Sequence, residues 1–196
     1  MFARFLALVM FLCAGPVLAQ ELTAGWTRDA TGCRVWNPHP RPNEIVTWSG
    51  ACSYGLANGR GTLKWYQDGN LFETDEGELR DGKANGEFVT TLADGSRYEG
   101  ERRDSERDGR GTMTFVSGDQ YKGEWRKDQF DGRGTYTWRS GTSYEGEWRD
   151  GKPNGWGKAT DAWDGSVYEG QWINGCFQQG NRSWALFSAR AECAFK

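Results

Sequence analysis

Two columns of carboxylates are the residues of this chain best placed, by type and spacing, to do chemistry. Glu99, Glu145 and Glu169 form one column, and Glu101, Glu124 and Glu147 form another. Paired carboxylates cleave glycosides when held about 5–10 Å apart. These columns, however, recur with a period of the chain itself and fall on the polar side of the segments that carry them. A solvated face, with the acids paired to Arg102, Arg126, Arg133 and Arg149, accounts for them. Exposed charge rows lack the perturbed pKa values that catalysis needs. The one histidine, His39, lies among prolines, so no Ser-His-Asp or Cys-His arrangement is credible. Gly109-Arg110-Gly111 and Gly132-Arg133-Gly134 read as strand glycines, not as a phosphate loop before a helix. No C-x-x-C pair exists. The reading is a protein that is not an enzyme, with no catalytic residue, no cofactor and no metal.

The elements behind these columns are repeats. Tyr121-Lys122-Gly123-Glu124-Trp125 returns 23 residues later as Tyr144-Glu145-Gly146-Glu147-Trp148. Tyr98-Glu99-Gly100-Glu101-Arg102 precedes it and Tyr168-Glu169-Gly170-Gln171-Trp172 follows. A second phrase, Gly132-Arg133-Gly134-Thr135-Tyr136-Thr137-Trp138, matches Gly109-Arg110-Gly111-Thr112-Met113-Thr114-Phe115 and Gly59-Arg60-Gly61-Thr62-Leu63-Lys64-Trp65. A fixed period of this size marks a repeat architecture. Both phrases alternate with period two, so each predicts a strand. Gly-bearing turns such as Asp68-Gly69, Asp94-Gly95 and Ser140-Gly141 suit hairpins. One repeat is then one hairpin. Successive hairpins join edge to edge, with one face aromatic and glycine-bearing and the other charged and rich in Thr. Glycines recurring in register imply that rings from neighbouring strands lie across bare backbone.

The phrase Y-x-G-x-W followed by G-x-G at this period resembles the MORN repeat (membrane occupation and recognition nexus), from about Trp48 to Gly180. The resemblance implies an all-β fold, an elongated single-layer antiparallel sheet of consecutive hairpins, and it does not imply an enzyme. It sets an array over residues 48–180, between a cap and linker at 20–47 and a C-terminal cap at 181–196. Gly50 to Gly77 exceeds the period by four, which predicts a bulge or excursion around residues 72–75. Arg102 stands where a tryptophan is expected.

Residues 1–19 read as a secretory signal: Arg4, an apolar run to Gly15, then Val17-Leu18-Ala19, so that the mature chain starts at Gln20 in the periplasm or outside the cell. Cys13 leaves with it. Cys33, Cys52, Cys176 and Cys193 flank the array, and an even count in an exported chain reads as disulfides. Four cysteines allow three pairings. Cys33–Cys52 and Cys176–Cys193 are favoured, because each closes a short loop at one end. Cys33-Arg34-Val35-Trp36 predicts an edge strand. The linker Asn37-Pro38-His39-Pro40-Arg41-Pro42 predicts an extended segment blunting the sheet edge. Good helix formers from Ser183 onward predict a short C-terminal helix tethered by Cys193.

The aromatic face is the candidate binding face: Tyr98, Phe115, Tyr121, Trp125, Tyr136, Trp138, Tyr144, Trp148, Tyr168 and Trp172. It serves as the sheet's half-core, as a groove for a partner, or as both. The expected partner is a protein bound on a scaffold, with self-association and a glycan or peptidoglycan chain as alternatives. Lipid or membrane-surface binding is the second alternative, though the net charge of −3 disfavours an anionic surface, and it disfavours nucleic acid as well.

Overall fold

The computed structural model describes residues 24–188 and 192–193. The expected signal segment and mature start lie outside them. Among the described residues, 16 strands build one open sheet. Its regular part is a run of strands, each antiparallel to the next: β5 (Leu56–Gln67), β6 (Asn70–Arg80), β7 (Lys83–Leu92), β8 (Arg97–Arg103), β9 (Glu106–Thr114), β10 (Gln120–Arg126), β11 (Gln129–Thr137), β12 (Ser143–Arg149), β13 (Lys152–Thr160) and β14 (Val167–Ile173). At the front, β3 (Glu44–Trp48) and β4 (Ala51–Ser53) pair with opposite ends of β5, as one strand broken at Ser49-Gly50. The expected bulge is present. Trp65 faces Glu73 and Tyr66 faces Leu71, which leaves Phe72 as the extra residue.

The glycine column explains the face. Tyr98, Tyr121 and Tyr144 lie over Gly111, Gly134 and Gly157 of the following strands, where a Cβ would strike the rings. Their hydroxyls donate to the carbonyls of Glu101, Glu124 and Glu147 at 2.8, 2.8 and 3.0 Å. Trp125, Trp148 and Trp172 donate indole N–H to the carbonyls of Gly111, Gly134 and Gly157 at 3.3, 3.0 and 3.2 Å. Every buried ring with a polar atom thus has a partner, which burial of that atom demands. Each tyrosine also meets the tryptophan of the next copy edge-on: Tyr98–Trp125 and Tyr121–Trp148 at 5.3 Å, Tyr144–Trp172 at 5.2 Å. The unit of packing is therefore a contact between copies, as in other stacked arrays.

Tight turns carry the stacking on the other side of the hairpins. Asp81-Gly82, Asp150-Gly151 and Asn174-Gly175 have positive φ at both positions, the geometry that two-residue hairpin loops prefer. The Gly82, Gly151 and Gly175 amides donate to Ala57, Phe130 and Pro153 in the preceding unit.

Three expectations need correction. First, the sheet is mixed at one junction. β2 (Arg34–Asn37) bridges β5 in parallel, Arg34 to Leu56, because β6 begins to pair only at Gly59 and leaves that end of β5 open. β2 is not the edge; β1 (Gly25–Arg28) is. Second, the proline segment does not blunt an edge. It crosses the aromatic face as a strap, and His39 reaches Asp128. Third, the C-terminal segment forms a strand where a helix is predicted. β15 (Cys176–Gln179) and β16 (Arg182–Ala185) make a last hairpin, with Trp184 opposite Phe177 and 4.5 Å from Tyr168. A short isolated helix is marginal in water, and strand pairing gives Trp184 two aromatic neighbours. The remainder of that segment, 189–191 and 194–196, lies outside the described residues. Both favoured disulfides, Cys33–Cys52 and Cys176–Cys193, are formed.

Candidate functional site: a cavity beneath the N-terminal strap

Three of the six carboxylates in the two columns make contacts within the sheet. Glu101 and Glu147 accept backbone amides of Arg110 and Trp156 at 3.0 and 3.3 Å, across bulges that follow Gly100 and Gly146. Glu99 pairs with Arg97, and Arg126 pairs with Asp131 at 2.7 Å. Arg102 does not join this face at all; it points inward.

Most of the ten ring positions are interior. Tyr98, Tyr121, Tyr144 and Trp172 are at most 1% exposed, and Trp125, Tyr136 and Trp148 are buried too. Burial, which disfavours the phenolate, raises the pKa values of Tyr98, Tyr121 and Tyr144 well above the usual phenol range. These rings are packing groups and not acids or bases. Phe115, Trp138 and Tyr168 keep partial exposure. The two ends of the described chain fold over the rest. At the C-terminal end Phe187 sits on Tyr136, Trp138 and Trp148, with centroids at 4.7, 5.3 and 5.3 Å. At the N-terminal end the strap covers the face near β5–β9.

Beneath the strap is a cavity of about 290 Å³. The departures from the repeat meet there. Asp75 occupies a tyrosine place and Arg102 a tryptophan place, so the ring pair of the other copies becomes an ion pair, Arg102 Nη2 to Asp75 Oδ1 at 2.9 Å. Arg102 also donates to Thr90 Oγ1 at 2.8 Å and to Glu73 Oε1 at 3.2 Å. Thr90 and the Trp65 indole donate to Asp75 at 2.6 and 3.3 Å. Burial pushes the Glu73 carboxyl up to about 7, the Asp75 charge adds to this, and Arg102 opposes it. Burial alone would lower the Arg102 pKa; Asp75 and Glu73 outweigh it and hold the guanidinium charged. Arg102 Nε is buried and has no acceptor.

Asp128 is a further departure. It holds φ +64 at the turn position where Gly82, Gly151 and Gly175 stand in other copies. Its Oδ1 accepts from Arg107 Nε at 2.7 Å and from the Arg107 amide at 3.1 Å. Burial would raise its pKa, but Arg107 keeps it low. Its Oδ2 faces His39 Nε2 at 3.1 Å, and Glu106 Oε1 lies 3.8 Å from the same nitrogen. The strap is shaped by its own sequence: Asn37 Oδ1 accepts the His39 amide at 2.9 Å, and Glu44 Oε2 accepts from Asn37 Nδ2 and the Arg41 amide at 2.6 and 3.0 Å.

Sequence reading noticed Arg102 and missed its partner. Tyrosine and the next copy's tryptophan are 27 residues apart in Tyr98–Trp125 and Tyr121–Trp148, and Asp75 stands 27 before Arg102. That spacing is the signal that finds Asp75. Nothing in the spacing brings His39 to Asp128, because the linker lies outside the period.

The MORN repeat family model matches residues 53–69, 76–97, 98–120, 121–143, 144–165 and 168–175. No curated protein matches the chain in sequence. Matched over more than half its length, with the tyrosine rings of three matched units lying across a glycine on the second strand of the same unit, the chain belongs to the MORN-repeat family.

Proposed function

We propose that this protein is a non-catalytic interaction scaffold of an exported, oxidising compartment, the periplasm or the cell exterior. MORN repeats serve protein and membrane interaction and are generally not catalytic. Two disulfides support an oxidising location, and the signal-like pattern of residues 1–19 agrees with export.

One observation carries the protein-binding reading. Phe115, Tyr136, Trp138 and Phe187 form a contiguous aromatic patch, with Phe115–Tyr136 at 6.0 Å and Tyr136–Trp138 at 4.6 Å. Phe187 is 36% exposed, and Val116 beside Phe115 is 66% exposed. Aromatic anchors on a rigid base cost little conformational entropy on binding and dominate interface energies. The net charge of −3 gives an anionic membrane no attraction.

The test uses residues that are not core. Trp125 and Trp148 are interior, so truncating them reads stability. A Phe115→Ala/Trp138→Ala variant with unchanged circular dichroism is compared with the parent as bait in a periplasmic extract. The retained protein is then purified and titrated against both. Direct binding that the variant loses supports the reading. Retention of soluble peptidoglycan chains in place of a protein overturns it in favour of the glycan alternative, and equal binding by both baits moves the site off this patch.

A further inference from the structure

We propose that His39, Glu106 and Asp128 form a site for one divalent transition-metal ion, which fastens the strap over the cavity. The three side chains come from separate segments: the strap, the start of β9 and the β10–β11 turn. Their donor atoms, one imidazole nitrogen and two carboxylate oxygens, all lie within 4.8 Å of one another. The His39 nitrogen lies 3.1 Å from the Asp128 oxygen and 3.8 Å from the Glu106 oxygen, near the spacing of about 3.3–3.6 Å between donors around a tetrahedral ion with ligand bonds of about 2.0–2.2 Å, so small side-chain shifts close all three on one ion. The set of one nitrogen and two oxygens suits zinc, manganese or ferrous iron better than a thiolate-seeking ion. Calcium and magnesium are less suited, because they favour oxygen-only shells.

Support comes from the surroundings of the donors. Arg107 binds one oxygen of Asp128 and leaves the other directed at His39. A ligating carboxylate is commonly oriented in this way through its second oxygen. Asp128 stands with φ +64 at a turn position that glycine fills in three other copies. His39 and Asp128 both line the cavity, which leaves room for further ligands on the ion. The same cavity holds an independent sign of a ligand: the buried Arg102 Nε–H, which has no acceptor. Without an ion, the same three residues make only an ordinary histidine–carboxylate contact, and the experiment separates the two.

The oxidised protein is stripped with chelator and titrated calorimetrically with zinc, then with manganese, in a non-coordinating buffer. Zinc should bind at one ion per chain. His39→Ala and Glu106→Gln should each weaken it by about tenfold or more. Cobalt should give a visible ligand-field band that His39→Ala abolishes. His39 is 67% exposed on its side chain, so its loss spares the fold, and unchanged near-ultraviolet circular dichroism verifies this. The proposal is overturned if none of the three ions saturates a single site below about 100 µM. It is equally overturned if His39→Ala binds as tightly as the parent. Phe115→Ala/Trp138→Ala should leave the affinity unchanged, so this result stands apart from that of the partner experiment.

Discussion

Asp75 and Arg102 meet at 2.9 Å in the positions where Tyr98 meets Trp125 and Tyr121 meets Trp148. One buried ring pair of the repeat has become a buried ion pair. Asp75 is 1% exposed, and the Arg102 side chain 12%. Removing one partner of such a pair strands the other charge and costs about 3–5 kcal/mol, whereas replacing both with well-packed apolar groups is often neutral or stabilising. Arg102→Ala and Asp75→Ala should therefore each lower the urea-unfolding free energy by about that amount. The double variant Asp75→Tyr/Arg102→Trp, which restores the repeat, should be more stable than either single alanine variant. A double variant as unstable as the singles would show that the site rejects the repeat's own rings.

This pair also marks how far the sequence is readable. Strands, turns, bulge and glycine column follow from local alternation and from the 23-residue period, because each unit contacts only its neighbours. Tyr121 over Gly134 is a contact between the two strands of one unit. The strap is different. His39 meets Asp128 across 89 residues, and no local pattern encodes so distant a contact. Trp184 illustrates the third limit. Its segment has good helix propensity, yet pairing with β15 and packing on Tyr168 outweigh that preference. The candidate face was legible as a row of rings. How much of it the strap and Phe187 cover was not, since both covers lie outside the repeat.

Glu73 gives the cavity a pH signature. Its folded pKa is raised to about 7 from an ordinary value near 4.5, through burial first and the Asp75 charge second. Between those values the folded state binds more protons than the unfolded one, so the stability contributed by Glu73 falls as pH rises. It is fully present below about 4.5 and is lost as pH climbs through 7. Glu73→Gln, neutral throughout, should abolish this slope. Urea unfolding at pH 5 and pH 8 should show the parent losing on the order of 1–3 kcal/mol relative to the variant. An equal parent–variant difference at both pH values would mean that Glu73 is as freely ionised as an exposed carboxylate.

Two glycines separate the two reasons the repeat keeps this residue. At Gly134 the backbone is ordinary, but a Cβ would stand 2.6 Å from Cζ of the fully buried Tyr121 ring. At Gly151 a Cβ would meet nothing within 4 Å, but φ is +77. Gly134→Ala must displace a ring whose hydroxyl is fixed to the Glu124 carbonyl and whose face stacks on Phe130 at 3.8 Å. Overpacking of this kind costs about 1–3 kcal/mol, and the lost hydroxyl bond adds about 1 kcal/mol. Gly151→Ala carries only the left-handed penalty of roughly 1–2 kcal/mol. Gly134→Ala should thus be the more damaging change, and Tyr121→Phe should relieve part of it by freeing the ring from its hydrogen bond. If Gly134→Ala is no worse than Gly151→Ala, the tyrosine rings are not clamped on the glycine column, and the stacking of copies rests on the tryptophans and turn hydrogen bonds alone.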